Sequence, residues 1–215
     1  MGRRHSAGHA FVADLDRPVL DPADQHHLAR VLRLRPGQSV TVTDGTGAWQ
    51  SCRWTAAGGL VPDGEVVSEP AALPSLTVAF ALTKGAKPEW AVQKLTELGV
   101  DRIVVFTAER SVVRWDAATA AGHLVRWRRV AREAAMQSRR VRLPRVDGVV
   151  RFADVAAELE SVGALAEPDG GPPGLDRPAL LVGPEGGWSG DELGCGLPTA
   201  GLGPGVLRAE TAAVA

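Results

Sequence analysis

Tyrosine is absent, methionine and cysteine occur twice each, and only Lys84, Lys87 and Lys94 among the 24 basic residues are lysines. Two cysteines as distant as Cys52 and Cys195, with no C-x-x-C and no cysteine–histidine cluster, argue against a disulfide framework and a zinc site. They read as buried thiols, and no metal is expected. No apolar run approaches the roughly 18 residues of a membrane span, and the opening MGRRHSAGHAFVADLD lacks the apolar core of a signal peptide. No membrane partner is expected, and the cytoplasm is the expected address. The phosphate loops of the two common nucleotide folds are missing as well, since neither G-x-G-x-x-G nor G-K-[ST] occurs. What remains is an ordinary globular composition, 45% hydrophobic and 23% charged over 215 residues, enough for one large or two small domains.

The formal net charge of -1 conceals a strong asymmetry. From Arg126 to Arg145 there are eight arginines (126, 128, 129, 132, 139, 140, 142, 145) against the single acid Glu133. Such a run attracts phosphate regardless of sequence, and the planar guanidinium suits bidentate phosphate contacts. The competing reading is a solvated helix face.

In chain order, residues 1–70 read as short strands and turns: His9–Ala13, Ser39–Thr43 and Trp49–Trp54, with Gly45 and Gly47 marking a turn. Pro22–Leu34 carries Leu28, Val31, Leu32 and Leu34 at helical spacing, so a small β-barrel with one helix is expected. Ser68–Ser75, SEPAALPS, is the linker to a second domain over 71–215. There Leu76–Leu82 is a strand, Pro88 opens a helix that Gly99 closes, and Arg102–Thr107 is a second buried strand, one βαβ unit. Asp116–Ser138 is the arginine helix, with Leu124, Trp127, Ala131, Ala134 and Ser138 on one side and Arg128, Arg132, Ala135 and Arg139 on another. Ala153–Glu160 follows as a helix, Val162–Glu167 as a strand and Pro168–Pro178 as a Gly/Pro loop. The alternation predicts a doubly wound α/β domain.

The chemistry gathers near the end. Ala179–Val182 is a short apolar strand of the kind buried on both faces. Gly183, Pro184, Glu185, Gly186 and Gly187 then form a turn that cannot be helical, and Ser189 with Asp191 and Glu192 starts a helix. Strand, glycine loop and helix put the loop at a strand's carboxyl end, where open α/β sheets bind ligands; alone, GPEGG is equally a tight turn. A second irregular loop, Gly201, Gly203, Pro204 and Gly205, leads into an expected strand at Val206–Leu207 and on to Arg208, Glu210 and Thr211. Two such loops at neighbouring strand ends make a pocket.

GPEGG together with LGPGVLRAET resembles the closing signature of the ribosomal RNA small subunit methyltransferase E family, uridine-N3 methyltransferases of the SPOUT class. HHLARVLRLRPGQ (His26–Gln38), QKLTELGV (Gln93–Val100), ERS (Glu109–Ser111) and REAAMQSRR (Arg132–Arg140) match the same pattern in order. The resemblance implies a PUA-like RNA-binding barrel followed by a trefoil-knotted α/β domain. It implies S-adenosylmethionine held by Val182, Gly183, Pro184, Glu185, Gly186, Gly187, Leu202, Gly203, Val206, Leu207, Arg208, Glu210 and Thr211. It implies RNA contacts from Arg33, Arg35, Arg128, Arg132, Arg139 and Arg140, and a homodimer acting on 16S ribosomal RNA within the small subunit. The family's chain continues after ETAA through a further helix, whereas this one stops at Ala215.

Methylating N3 of uridine requires its proton to leave. On the family reading Arg208, Arg110 or Arg140 near the uracil carbonyls favours the developing anion. Glu185, Glu167 or Glu210 takes the proton or orients an arginine. For each glutamate a loop-capping or ion-pairing role competes, and for Thr211 a helix cap. Two rival readings stand beside this one, a non-catalytic RNA-binding or ribosome-assembly protein, and a SPOUT enzyme acting on another RNA.

Overall fold

The computed structural model describes residues 2–215 and divides into two compact units. The first gathers the chain up to Ala71 together with Ala135–Leu143, and the second holds Ala72–Ala134 and Pro144–Ala215.

The first unit is built on a mixed sheet of β1 (Gly8–Phe11), β2 (Ser39–Thr43), β3 (Ala48–Trp54), β4 (Leu60–Pro62) and β5 (Val67–Ser68). β1 runs parallel to β2, and β3 pairs antiparallel with β2, β4 and β5. Between β1 and β2 lies α1 (Pro22–His26), whose N-terminus is fixed by Asp21 accepting from the Asp24 N–H at 2.7 Å. The expected single helix to Leu34 is shorter: α1 widens into a π turn over His27–Val31, and Arg33 takes a left-handed φ of 52°. The left-handed residue breaks the helical hydrogen-bond ladder. Leu28, fully buried with Val40 and Trp54, pins this segment to the sheet. A Cβ on Gly8 would lie 2.8 Å from Leu28 Cδ2, so an added methyl there would have to displace the end of the Leu28 side chain.

Residues 135–143 enter this unit through polar contacts. His9 Nε2 lies 2.9 Å from the Arg140 carbonyl, which can only accept, so Nε2 carries the proton and Nδ1 accepts from the Thr41 hydroxyl at 2.7 Å. Arg139 donates to the Ser6 carbonyl at 2.8 Å and the Ser6 hydroxyl at 3.2 Å, and Arg142 donates to the carbonyls of Thr46 and Glu69. Burial, with the charges of Arg139 and Arg3, pushes the His9 pKa down to about 4 against the bond to Arg140.

The second unit carries a six-stranded parallel sheet in the order β11–β9–β10–β6–β7–β8. In chain order these are β6 (Thr77–Ala81), α2 (Lys87–Leu98), β7 (Arg102–Thr107), α3 (Ala117–Gln137), β8 (Arg145–Arg151), α4 (Phe152–Glu158), β9 (Gly163–Gly171), β10 (Ala179–Val182), α5 (Gly190–Leu193), β11 (Thr199–Ala200) and α6 (Ala209–Ala212). Gly99 closes α2 at φ 99°, and Asp116 caps α3 by accepting from the Thr119 N–H at 2.7 Å. One face of the sheet packs Phe106, Leu165 and Leu181 against α4 and Trp188; the other packs Phe80, Ile103 and Val182 against α2, Trp127 of α3 and Ala212 of α6. Helices on both faces make the doubly wound α/β arrangement expected. The chain runs outward through β6, β7 and β8, then crosses to β9 and returns with β10 beside β6.

Three local expectations are corrected. β9 runs on to Gly171 rather than ending at Glu167, because its outer part pairs with β11. Val206–Leu207 is not a strand: the edge strand is Thr199–Ala200, no strand pairs with 206–207, and Val206 is 89% exposed. Cys52 is buried as expected but Cys195 is exposed, since α5 ends before it and leaves it in a surface turn. Among the described residues no helix is long and apolar enough to cross a membrane.

The buried neutral His9 gives the first unit an acid sensitivity. With a folded pKa of about 4 against 6.5 unfolded, its contribution is complete above pH 6.5 and is lost as pH falls toward 4. The loss amounts to about 3 kcal/mol. Urea titrations between pH 7.5 and 4.5 should show this fall in the wild type and a flatter profile in His9→Gln; equal slopes would contradict it.

Candidate active site

β9, β10 and β6 lie side by side, and the turn after β10 emerges at their carboxyl ends. There a cavity of about 440 Å³ opens, lined by Ala166, Glu167 and Pro168 of β9, by Val182 at the end of β10, by 183–185, Gly187 and Trp188 after it, and by 202–203, 205–209 and Ala212. Its floor depends on one close contact. A Cβ on Gly183 would lie 3.0 Å from Trp188 Cε2, so the indole packs on the backbone of the turn it terminates. Trp188 Nε1 donates to the Ala166 carbonyl at 3.0 Å, tying the turn to β9. Phe106 stacks parallel to the indole at 6.0 Å and Phe152 tilts against it at 5.2 Å. Gly187, at φ 69°, reverses the chain before Trp188.

The helix after the turn begins with a capping box. Ser189 Oγ accepts from the Glu192 N–H at 3.3 Å while Glu192 Oε2 accepts from the Ser189 N–H at 2.9 Å. The other oxygen, Glu192 Oε1, accepts from the Glu109 N–H at 2.8 Å, so one buried carboxylate joins the ERS loop to the start of α5. Arg110 then lies over Gly186, its Nη1 donating to the Gly186 carbonyl at 3.2 Å. Across the cavity Gly203 adopts φ 117°, and among the described residues the backbone N–H groups of Leu202, Gly203, Gly205, Val206 and Leu207 have no partner. Lys87, at the start of α2, reaches both loops, with Nζ 2.9 Å from Glu185 Oε1 and 3.3 Å from Glu210 Oε2. Burial pushes the Glu185 carboxyl up, but the bond from Lys87, its own backbone N–H and the charges of Lys87 and Lys84 outweigh it and leave its pKa lowered.

A family model described as an RNA methyltransferase domain matches residues 70–215, and one described as an RNA methyltransferase PUA domain matches 20–58. The chain is 37% identical over 215 residues to the ribosomal RNA small subunit methyltransferase E of Mycobacterium tuberculosis, covering 91% of this chain and 82% of that protein. It belongs to the ribosomal RNA small subunit methyltransferase E family. The Bacillus subtilis methyltransferase E is 31% identical over 212 residues, covering 87% of this chain and 82% of the relative. The crystal structure of the Neisseria gonorrhoeae methyltransferase E bound to S-adenosylmethionine superposes with a TM-score of 0.79 at 26% identity, covering 96% of this chain and 93% of that one.

Measured against the methyltransferase E signature, the structure gathers most of the expected cofactor residues. Val182, Gly183, Pro184, Glu185, Gly187, Leu202, Gly203, Val206, Leu207 and Arg208 line the cavity. Gly186, Glu210 and Thr211 do not: Gly186 lies against Arg110, Glu210 turns to Lys87, and Thr211 sits inside α6, whose N-cap is Arg208. Arg208 is exposed at the cavity rim and Arg110 beside its turn, whereas Arg140 belongs to the first unit. Arg33 and Arg35 are exposed on the first unit. Arg139 is half-buried and bonded to Ser6, and Arg128 donates from Nε to the Val146 carbonyl at 3.2 Å. Arg132 is half-buried on α3.

The arginine run is less of a free patch than its sequence suggests. Arg126 meets Glu89 at 3.2 Å, Arg129 meets Glu133 at 3.1 Å and Arg145 meets Asp147 at 2.8 Å. The bridging role of Lys87 and the two hydrogen bonds accepted by Glu192 are not legible in the sequence, although the S-x-x-E spacing from Ser189 to Glu192 is.

The contact between Gly183 and Trp188 leaves no room for a methyl group. Gly183→Ala should cost about 1–3 kcal/mol by overpacking and weaken S-adenosylmethionine binding measured by calorimetry. Gly190→Ala, with nothing within 4 Å of its Cβ, is the matched control and should change neither. Equal behaviour of the two variants would remove the contact from the account.

Proposed function

We propose that this chain transfers the methyl group of S-adenosylmethionine to N3 of a specific uridine in 16S ribosomal RNA of the small subunit. The observation that carries the proposal is that both halves of the family signature line one cavity at the carboxyl ends of β9 and β10. At about 440 Å³ the cavity falls within the range of small-molecule sites. Its wall is mostly backbone and apolar surface, with Val182, Leu202 and Leu207 to flank an adenine and the open N–H groups of Leu202, Gly203, Gly205, Val206 and Leu207 to hydrogen-bond it. The bound cofactor would supply an electrophilic sulfonium methyl.

The chain's own contribution is alignment and proton removal. Holding the attacking nitrogen in line with the departing sulfur supplies much of the acceleration. Arg208 at the rim and Arg110 beside Gly186 stabilise negative charge on the uracil carbonyls as the N3 proton leaves. Glu185, engaged by Lys87 and held at a lowered pKa, is a poor proton acceptor. Glu167 lines the cavity with no hydrogen-bond or ion-pair partner among the described residues, and we assign the proton to it. The proton passes to Glu167, N3 bonds to the methyl carbon, and the carbon–sulfur bond breaks to leave a neutral thioether.

The exposed Arg33 and Arg35 of the PUA-like unit contact the ribosomal RNA backbone, together with Arg128, Arg132, Arg139 and Arg140. The working form is a homodimer, its catalytic domain is knotted as in the SPOUT class, and its setting is the cytoplasm.

Labelled S-adenosylmethionine should mark small subunits lacking the modification, as N3-methyluridine by mass spectrometry, and leave transfer RNA and large subunits unlabelled. Cofactor binding with no label on any RNA would favour the non-catalytic reading. Glu167→Gln should lower kcat about 10²- to 10⁴-fold with an unchanged Kd for the cofactor; full activity in that variant would return the proton to another group.

A further inference from the structure

The turn 183–189 and the segment 201–212 are far apart in sequence, yet both wall the same cavity. Among the described residues, the only hydrogen bond or ion pair joining them passes through Lys87. Lys87 stands on a third element, at the start of α2, with its side chain 36% exposed, while Glu185 and Glu210 are 42% and 16% exposed. In a chain with only three lysines, this one occupies a point where two carboxylates converge. A compact ammonium with three donors can bond two acids at once, which a planar guanidinium does in a different geometry. Remove it and two like charges face each other at the cavity rim, pushing apart the loops they belong to.

We propose that Lys87 is a positioning residue for the cofactor pocket, clasping the GPEGG turn to the RAET turn through Glu185 and Glu210. It acts on binding and not on the reacting atoms. The inference rests on the reading of the cavity as a site for S-adenosylmethionine.

Calorimetric titration of S-adenosylmethionine into wild type, Lys87→Met, Lys87→Arg and Lys94→Met tests it. Lys94 pairs with Glu97 along the same helix and is the control. Lys87→Met should weaken binding about tenfold and raise KM for the cofactor with little change in kcat, at a Tm close to that of Lys94→Met. Lys87→Arg should recover part of the loss. Adding Glu185→Gln to Lys87→Met should recover part of it as well, because the repulsion between the two carboxylates is then removed. Affinity in Lys87→Met within twofold of Lys94→Met overturns the proposal, as does a loss that follows Tm and is rescued by neither change. Failure of the wild type to bind S-adenosylmethionine would overturn the parent reading itself, a result distinct from either of these.

Discussion

The indole of Trp188 resting on the backbone of Gly183 is the contact on which the site depends. A tryptophan six residues after a strand end has no fixed direction of its own, but this one is held from three sides. Glycine beneath it admits the ring, the Ala166 carbonyl takes its N–H, and Phe106 and Phe152 flank it. The turn between the two is therefore fixed to β9 as well as to β10, and a loop that would otherwise be mobile becomes a wall. Preorganisation of this kind lowers the ordering cost that ligand binding would otherwise carry.

Charge is used in the same way around that wall. Glu192 spends one oxygen on its own helix and the other on the ERS loop, and Lys87 spends its donors on two glutamates from opposite sides of the cavity. Acids that resemble catalytic bases in the sequence are thereby made structural, and the lining carboxylate whose side chain has no partner among the described residues, Glu167, lies on β9. The arginine run follows a similar division. Arg139 and Arg142 hold backbone carbonyls of the first unit, and Arg126, Arg129 and Arg145 meet the acids Glu89, Glu133 and Asp147 on α2, α3 and β8.

What could be read from the sequence was local and periodic. The apolar run before GPEGG, the cap at Ser189, the closure of α2 at Gly99 and the buried side of α3 at Trp127 and Ala131 follow from spacing and turn chemistry alone. What could not be read was set by long-range pairing. Val206 and Leu207 have strand-forming side chains, but a strand exists only where a neighbour offers its backbone, and that neighbour pairs with Thr199–Ala200 instead. The widening of α1 after His26 depends on where Leu28 must be buried. The role of Lys87 was invisible because its two partners lie 98 and 123 positions away, and no local pattern records such a meeting.

The helix α3 runs without interruption from Ala117 to Gln137, but the division between units falls within it, at Ala134. The first unit is thus not a continuous stretch of chain. Its partner for His9 arrives more than a hundred residues later, in the peptide that follows α3. During synthesis the polar network of the amino-terminal sheet stays incomplete until the ribosome has delivered residues 135–143, and with them all of β6, α2, β7 and α3. A fragment ending at Ala71 would lack those carbonyls and guanidinium groups altogether. The first unit is in this sense late-closing, completed by the end of α3 and the peptide that follows it.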